Sequence, residues 1–542
     1  MPRPECDLPG VSDTLAWELP PTIYQHIQQH INPEQFGLTE GGSALPDDWA
    51  IQQRDGHRWV PGAFDSMLQH APAEVIGEVN EELVQLILDD VMLGMPGRRE
   101  RLYEMVRNDK VAGTLNELVQ MVGDATMPED DTLFELAMWL ATESRDREPV
   151  KLGLGLLSLF PHKPIEEVVL VLGRHDEFTR TCDLTMQHWD VARRTEVIRQ
   201  LLPHLSGWGL QALVQRVAGT ENREIQQWMI QDGGRRSGFL RQYMAHTLAT
   251  TGNLRDALLS SEVDTEVLRS AGYILSALIE IERGTRGKEH RILLGIHDYA
   301  DGPVVMQRFM FHMQKHASTV FDLNFVGSVL GFLEDSEADW MLREDLGWND
   351  SLVAELRTAA DELLERPMWE GIVRQGLAND DDDTYVYAVS AVNLLQLAEA
   401  AVDMNRYQQI NLRRASMMIG SNDELVDEAQ QYFEKVKDLA RLANTPRVDT
   451  PMRSPNGYRY EVPFRPEDFQ RYPDQAEAMI AFLMDRPVAQ MRKRALEMLE
   501  IWGEANWPES IQQLLVAAEF AEKDPQLKQM MENLNNGRLL ND

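Results

Sequence analysis

Histidine pairs one helical turn apart are the first place to look for chemistry in this chain. His312 and His316 have that spacing in Phe311-His312-Met313-Gln314-Lys315-His316, and so do His26 and His30, which puts both rings of each pair on one helix face. A zinc peptidase helix needs a glutamate directly after its first histidine as general base. Neither pair has one, and Lys315 beside His316 repels a dication. The pairs read as polar spacers on helix surfaces. Gly284-Thr285-Arg286-Gly287-Lys288 has the glycines and lysine of a phosphate loop without its spacing, its hydroxyl residue or a preceding buried strand, so it reads as a polar turn. Asn379 and Asp380 to Asp383 form the densest acidic run. It lacks the glycine and distal glutamate of an EF-hand loop, and Asp382 or Asp383 is placed to cap the next helix. Cys6 and Cys182, the two cysteines, build neither a disulfide framework nor a thiolate metal site. No catalytic, metal-binding or cofactor-binding residue emerges, and the expectation is a protein that is not an enzyme.

The charge balance narrows the partners. Asp and Glu number 88 against 52 Lys and Arg in 542 residues, a formal net charge of −36. Such a surface repels phosphate, so direct nucleic-acid binding is disfavoured and a basic protein partner is favoured. No apolar run is long enough to span a bilayer and no signal-type segment opens the sequence, so the expectation is a cytoplasmic protein that does not enter the membrane.

These residues must be carried by helices. Residues 1–62 are rich in proline, glycine and tryptophan and read as an N-terminal arm or cap. Residues 63–444 read as a train of short amphipathic helices stopped by proline, glycine, asparagine or aspartate. One helix is expected from Ala73 to Leu93, with Val75, Val79, Leu83, Leu86, Ile87 and Val91 on its buried stripe. Another is expected after Pro128-Glu129-Asp130-Asp131, whose proline and acids suit a first turn. Gly153-Leu154-Gly155 sits inside an apolar helical run, where glycine weakens the helix but permits close approach of a neighbour. Trp208, in Ser206-Gly207-Trp208-Gly209, is a candidate partner anchor.

Internal repetition is the most informative feature. Leu240-Arg241 is followed by core positions Met244 and Leu248 and by Gly252; Met491-Arg492 is followed at the same spacings by Ala495, Leu499 and Gly503. Each leads into a second helix, over Leu254 to Val263 and Glu509 to Phe520, and into a third with an acidic start at Asp264 or Asp524. Weaker echoes stand at Val150-Lys151 with Leu154 and at Asp383-Thr384-Tyr385-Val386. These segments resemble the HEAT and armadillo class of helical repeats. The resemblance implies an all-α fold, an irregular α-solenoid of stacked antiparallel helix pairs, with Arg241 and Arg492 as repeat-structural residues.

One segment breaks the rhythm. Residues 445–473 are proline-rich, with Arg447, Arg453, Arg459, Arg465 and Arg471 at every sixth position and Tyr458, Tyr460 and Phe464 among them. They read as an extended arm that tethers itself to the acidic helical surface or binds a partner, ahead of a C-terminal helical segment at 474–542. Repeat architecture without a chemical constellation points to a non-catalytic protein-binding scaffold or adaptor. The alternatives are an acidic inhibitor or nucleic-acid mimic that neutralises a basic partner and, behind it, a helical-repeat enzyme.

Overall fold

Helix ends in this protein are set by side chains that satisfy the orphan N–H groups of the first turn. Thr22 opens Ile23–Gln29 with a capping box: its hydroxyl accepts from Gln25 N at 3.2 Å while its own N–H donates to Gln25 Oε1 at 3.4 Å. Asp130 Oδ1 accepts from the amides of Thr132 and Leu133 at the head of Asp131–Glu143. Asp190 and Asn222 do the same for Val191–Leu201 and Arg223–Trp228. Each such cap stabilises by about 1 kcal/mol.

The computed structural model describes residues 21–32, 37–55, 58–68, 78–93, 97–109, 111–127, 130–284, 293–335, 340–395, 489–522 and 524–540, with positions 397, 402–403, 406–407, 410, 420–421, 477, 480–481 and 483–484. The described residues are overwhelmingly helical. Strand structure among them is confined to the two-residue segments Arg58–Trp59 and Gly420–Ser421, and none of their helices is long and apolar enough to cross a membrane.

Three expectations are corrected locally. Of the helix read from Ala73 to Leu93, positions 73–77, with Val75, lie outside the described residues; positions 78–80, with Val79, are not helical, and the helix runs over Glu81–Leu93, with the Asn80 side chain accepting from Leu83 N at 3.4 Å and so competing with further helix. The cap of Asp382–Leu394 is Asp381, which accepts from Thr384 N at 2.8 Å. His312 is buried, its Nε2 3.0 Å from the Leu258 carbonyl, and is no surface spacer.

The chain divides into two units, residues 1–315 with 337–353 and 418–420, and residues 316–336 with 354–417 and 421–542. In the first, Arg147–Leu157 packs on Asp176–Thr185, that helix on Gly207–Arg216, that on Arg241–Thr251, and that on Thr265–Gly284. Shorter helices separate them along the chain. Glycine sets the closest approach: a Cβ at Gly153 would lie 2.5 Å from Ala141 N and 2.8 Å from Ala137 O, so Asp131–Glu143 seats backbone against this position.

Arginines pin one helix to the end of another, an arrangement that recurs in both units. Arg193 donates to the carbonyls of Pro161 and, at 2.8 Å, Lys163; Arg236 donates to Pro203 O at 3.0 Å; Arg308 donates to Leu258 O at 3.1 Å and Ser260 O at 2.9 Å. In the second unit Arg357 donates to Leu333 O, and Arg406 to the carbonyls of Asn379 and Asp380 at 2.6 and 2.7 Å. Pro203, Leu258, Ser260, Leu333, Asn379 and Asp380 lie at or just past a helix C-terminus, where carbonyls lack intrahelical partners and the helix dipole is negative, while Pro161 and Lys163 lie in the connection between Arg147–Leu157 and Glu166–Leu172.

The second unit also packs Val320–Leu333, Trp369–Leu377 and Asp382–Leu394 on one another. Its C-terminal helices, Ala489–Trp502, Glu509–Ala521 and Pro525–Asn535, share a core of Leu496, Leu499, Trp502, Ile511, Leu515 and Met531. Trp507 Nε1 donates to Leu499 O at 3.0 Å, so its ring is buried with its polar atom satisfied.

Candidate functional site

Arg147–Leu157 and Asp176–Thr185 lie side by side, tied by Thr185 Oγ1 donating to Leu154 O at 2.7 Å. Their two ends differ in chemistry. At the N-terminal end the sequence places Arg147, Glu148 and Lys151 on one helix and His175, Asp176 and Glu177 at the start of the other. Acidic side chains suit a first turn; the two cations oppose the helix dipole and need partners.

Those partners come from residues 47–65 and from the helix pair itself. Lys151, 1% exposed, places Nζ 2.7 Å from Glu177 Oε1 and 2.9 Å from Asp65 Oδ2, with Glu148 Oε1 at 3.5 Å. Arg147 meets Asp47 as a fork, Nε to Oδ2 at 3.1 Å and one terminal nitrogen to Oδ1 at 3.0 Å; it also bonds Asp48. Backbone amides complete the shell: Gly62 N donates to Glu177 Oε2 at 3.0 Å and Val111 N to Glu148 Oε2 at 3.1 Å. Gly62 has no room for a side chain, since a Cβ there would sit 2.4 Å from Asp176 O.

Five carboxylates around two cations leave an excess of negative charge in a buried space. Burial pushes the Glu148 carboxyl up to about 7, with Asp65 and Glu177 adding and Lys151 opposing; burial also raises Asp65. Burial would raise Glu177 too, but Lys151 and Arg147 outweigh it and hold that carboxyl down to about 2. His175 is lowered to about 4, chiefly by burial. This is a saturated latch for residues 47–65. Its charged groups are spent on one another, with none presented to a solute.

The C-terminal end of the same two helices is open. A groove of about 590 Å³ runs along Leu115–Ala125 and past the ends of Arg147–Leu157 and Asp176–Thr185. Its apolar wall is Val119, Leu133, Leu159, Phe160 and Leu184, and Met127 stands beside it 75% exposed. Its floor depends on Gly123, where a Cβ would lie 2.9 Å from Leu159 Cδ2. Asn116, Gln120, Asp124 and Gln187 supply the polar rim, and none of their side chains has a hydrogen-bond or ion-pair partner among the described residues. Among the described residues His188 is the groove's one basic lining side chain, and no lysine or arginine lines it.

The chain matches no protein-family model, no curated protein and no solved structure.

The residues singled out from sequence are placed unevenly. Arg492 makes a bidentate pair with Glu522, at 2.6 and 2.9 Å, at the C-terminal end of the following helix Glu509–Ala521. Arg241 donates to Gly238 O at 2.8 Å and lies over the Tyr273 ring, 4.8 Å from its centroid, on Thr265–Gly284. Trp208 is packed against Tyr243 and 9% exposed, so it is no free anchor. Arg447, Arg453, Arg459, Arg465, Arg471, Tyr458, Tyr460 and Phe464 lie outside the described residues. Sequence reading missed both ends of the helix pair. The signal for the latch was a lysine, Lys151, on the stripe of Leu154 and Gly155, noted only as a repeat echo; the groove had only an in-helix glycine and a lone methionine.

Proposed function

We propose that this protein is a non-catalytic, protein-binding scaffold of HEAT-like stacked helix pairs. The observation that carries the reading is the succession of helices from Arg147–Leu157 to Thr265–Gly284, each packed on the next, with an unpartnered groove on one end of the stack. Arginines that reach back to carbonyls in the turns that follow earlier helices support the neighbour-to-neighbour coupling that a repeat array requires. The match of two three-helix segments supports it too: Met244 and Leu248, like Ala495 and Leu499, are buried, and third helices begin after Asp264 and Asp524.

The net charge of −36 favours a second reading, an acidic inhibitor that neutralises a basic partner. Affinity capture with the full chain at about 0.05 and about 0.5 M salt, followed by cross-linking of the retained proteins, separates the two, because high salt screens exposed charges beyond a few ångströms. The scaffold reading expects protein cross-linked to the helical body at both concentrations. A strongly basic partner lost at the higher one decides for the inhibitor, and no cross-linked protein at either overturns the scaffold.

A further inference from the structure

We infer that the groove beside Gly123 receives an extended segment of a partner protein that inserts a lysine or arginine between apolar side chains. The inference rests on the scaffold reading and gives it a site and a partner chemistry. Two helices, Arg147–Leu157 and Asp176–Thr185, present their negative ends at this groove, and a third, Leu115–Ala125, runs along it from Asn116 and ends there at Asp124 and Thr126. Their last carbonyls already carry bonds, from Thr126 Oγ1 to Val122 O, from Ser158 Oγ to Gly155 O and from Gln187 N to Leu184 O, so the ends contribute a field more than free acceptors. A fourth helix, Asp131–Glu143, enters with its positive end, which the Asp130 carboxylate caps, while Asp131 in its first turn is paired with Lys163 at 2.9 Å. Asp124, exposed on the rim, adds a full negative charge with no cation paired to it among the described residues.

The electrostatic sign and the surface chemistry therefore agree. The groove asks for one positive head with apolar neighbours: the head near Asp124 and the helix ends, the neighbours on Leu159, Phe160 and Met127. Its volume falls within the range of sites that hold a few side chains.

The probe is a random peptide library displayed on phage and selected against the immobilised full chain, with enriched peptides then synthesised and titrated by fluorescence anisotropy. Enriched peptides are expected to carry Lys or Arg beside Leu, Ile, Met or Phe. Their affinity is expected to fall at least tenfold for Asp124→Lys and severalfold for Met127→Ser, with thermal unfolding of both variants unchanged. Failure to enrich basic-apolar peptides, or equal affinity of wild type and Asp124→Lys for them, overturns the inference. Either result leaves the scaffold reading standing if proteins still cross-link to the helical body. A chain that captures no protein at either salt concentration overturns that reading whatever the peptides do.

Discussion

The helix pair Arg147–Leu157 and Asp176–Thr185 ends in two opposite ways. Its N-terminal turns are charged and closed, with both cations paired to carboxylates from residues 47–65 and from the pair itself. Its C-terminal ends border an open groove, whose rim side chains Asn116, Gln120, Asp124 and Gln187 have no hydrogen-bond or ion-pair partner among the described residues. Charge in a buried place is tolerated only when compensated. The charged end is therefore structure, and the less charged end is the one left available for a partner.

The largest effect should come from the latch. Lys151→Met strands Asp65, Glu148 and Glu177 without their shared cation, and removing one partner of a buried ionic group costs roughly 3–5 kcal/mol. Hydrogen exchange at the Gly62 and Val111 amides, both donors to latch carboxylates, should speed up together. A loss below about 1 kcal/mol would erase the distinction between the two ends, since that is what exposed pairs lose.

The latch should also give stability a pH dependence that the groove lacks. Glu148 is raised to about 7 in the folded protein, above its unfolded value, so its contribution is present in acid and lost as pH rises through about 7. Glu177 is lowered to about 2, so its contribution is present at neutral pH and lost as pH falls below the ordinary glutamate range toward 2. Together they place the stability maximum of this region in mild acid. Glu148→Gln should flatten the decline toward neutral pH, a change on the order of 1–3 kcal/mol in unfolding titrations at pH 5 and pH 8. An unchanged slope would mean that Glu148 is ionised in the folded state.

Gly153 tests the packing between the ends. Its replacement by alanine drives a Cβ into backbone atoms of Ala137 and Ala141 that cannot step aside, and overpacking of this kind costs about 1–3 kcal/mol. A neutral Gly153→Ala would show that the two helices separate readily. Unequal effects are expected at the two repeat arginines, which the sequence presents as equivalents. Arg492→Ala breaks a bidentate charged pair whose Glu522 partner is 3% exposed, and should cost about 1–3 kcal/mol in thermal unfolding. Arg241→Ala gives up a cation–π contact and an exposed hydrogen bond, and should cost no more than about 1 kcal/mol. Equal losses would restore the equivalence.

Local rules were legible in the sequence wherever one residue decides the outcome. Helix class, the stop at Gly252, the acidic starts at Asp264 and Asp524 and the packing use of Gly153 all follow from propensity, capping and size. What was not legible is pairing across distance. Lys151 with Asp65, Arg193 with the Pro161 carbonyl, and Arg236 with the Pro203 carbonyl join residues whose neighbours in sequence give no hint of one another. An arginine that pins a helix end looks in sequence like any exposed arginine. The groove was invisible for a related reason: it is made of side chains that each have an ordinary explanation, and only their convergence on three helix ends gives them a shared sign of charge.

The smallest expected effect on stability is also the sharpest separation of the two ends. Gly123→Ala exchanges a poor helix former for the best one, a gain of up to about 1 kcal/mol, and sets its new Cβ 2.9 Å from Leu159 Cδ2. Leu159 is partly exposed and faces an open groove, so its side chain can rotate away at a penalty on the order of 0.5–1 kcal/mol. The terms nearly cancel, and thermal unfolding should stay close to wild type, unlike that of Gly153→Ala, whose neighbours are backbone. The displaced leucine swings into the space where a partner side chain is to lie, so the variant should lose affinity for the selected basic-apolar peptides while it keeps its fold. If Gly123→Ala is destabilised as much as Gly153→Ala, Leu159 belongs to the packed interior, and the open end of the pair is structural in the same sense as the closed one.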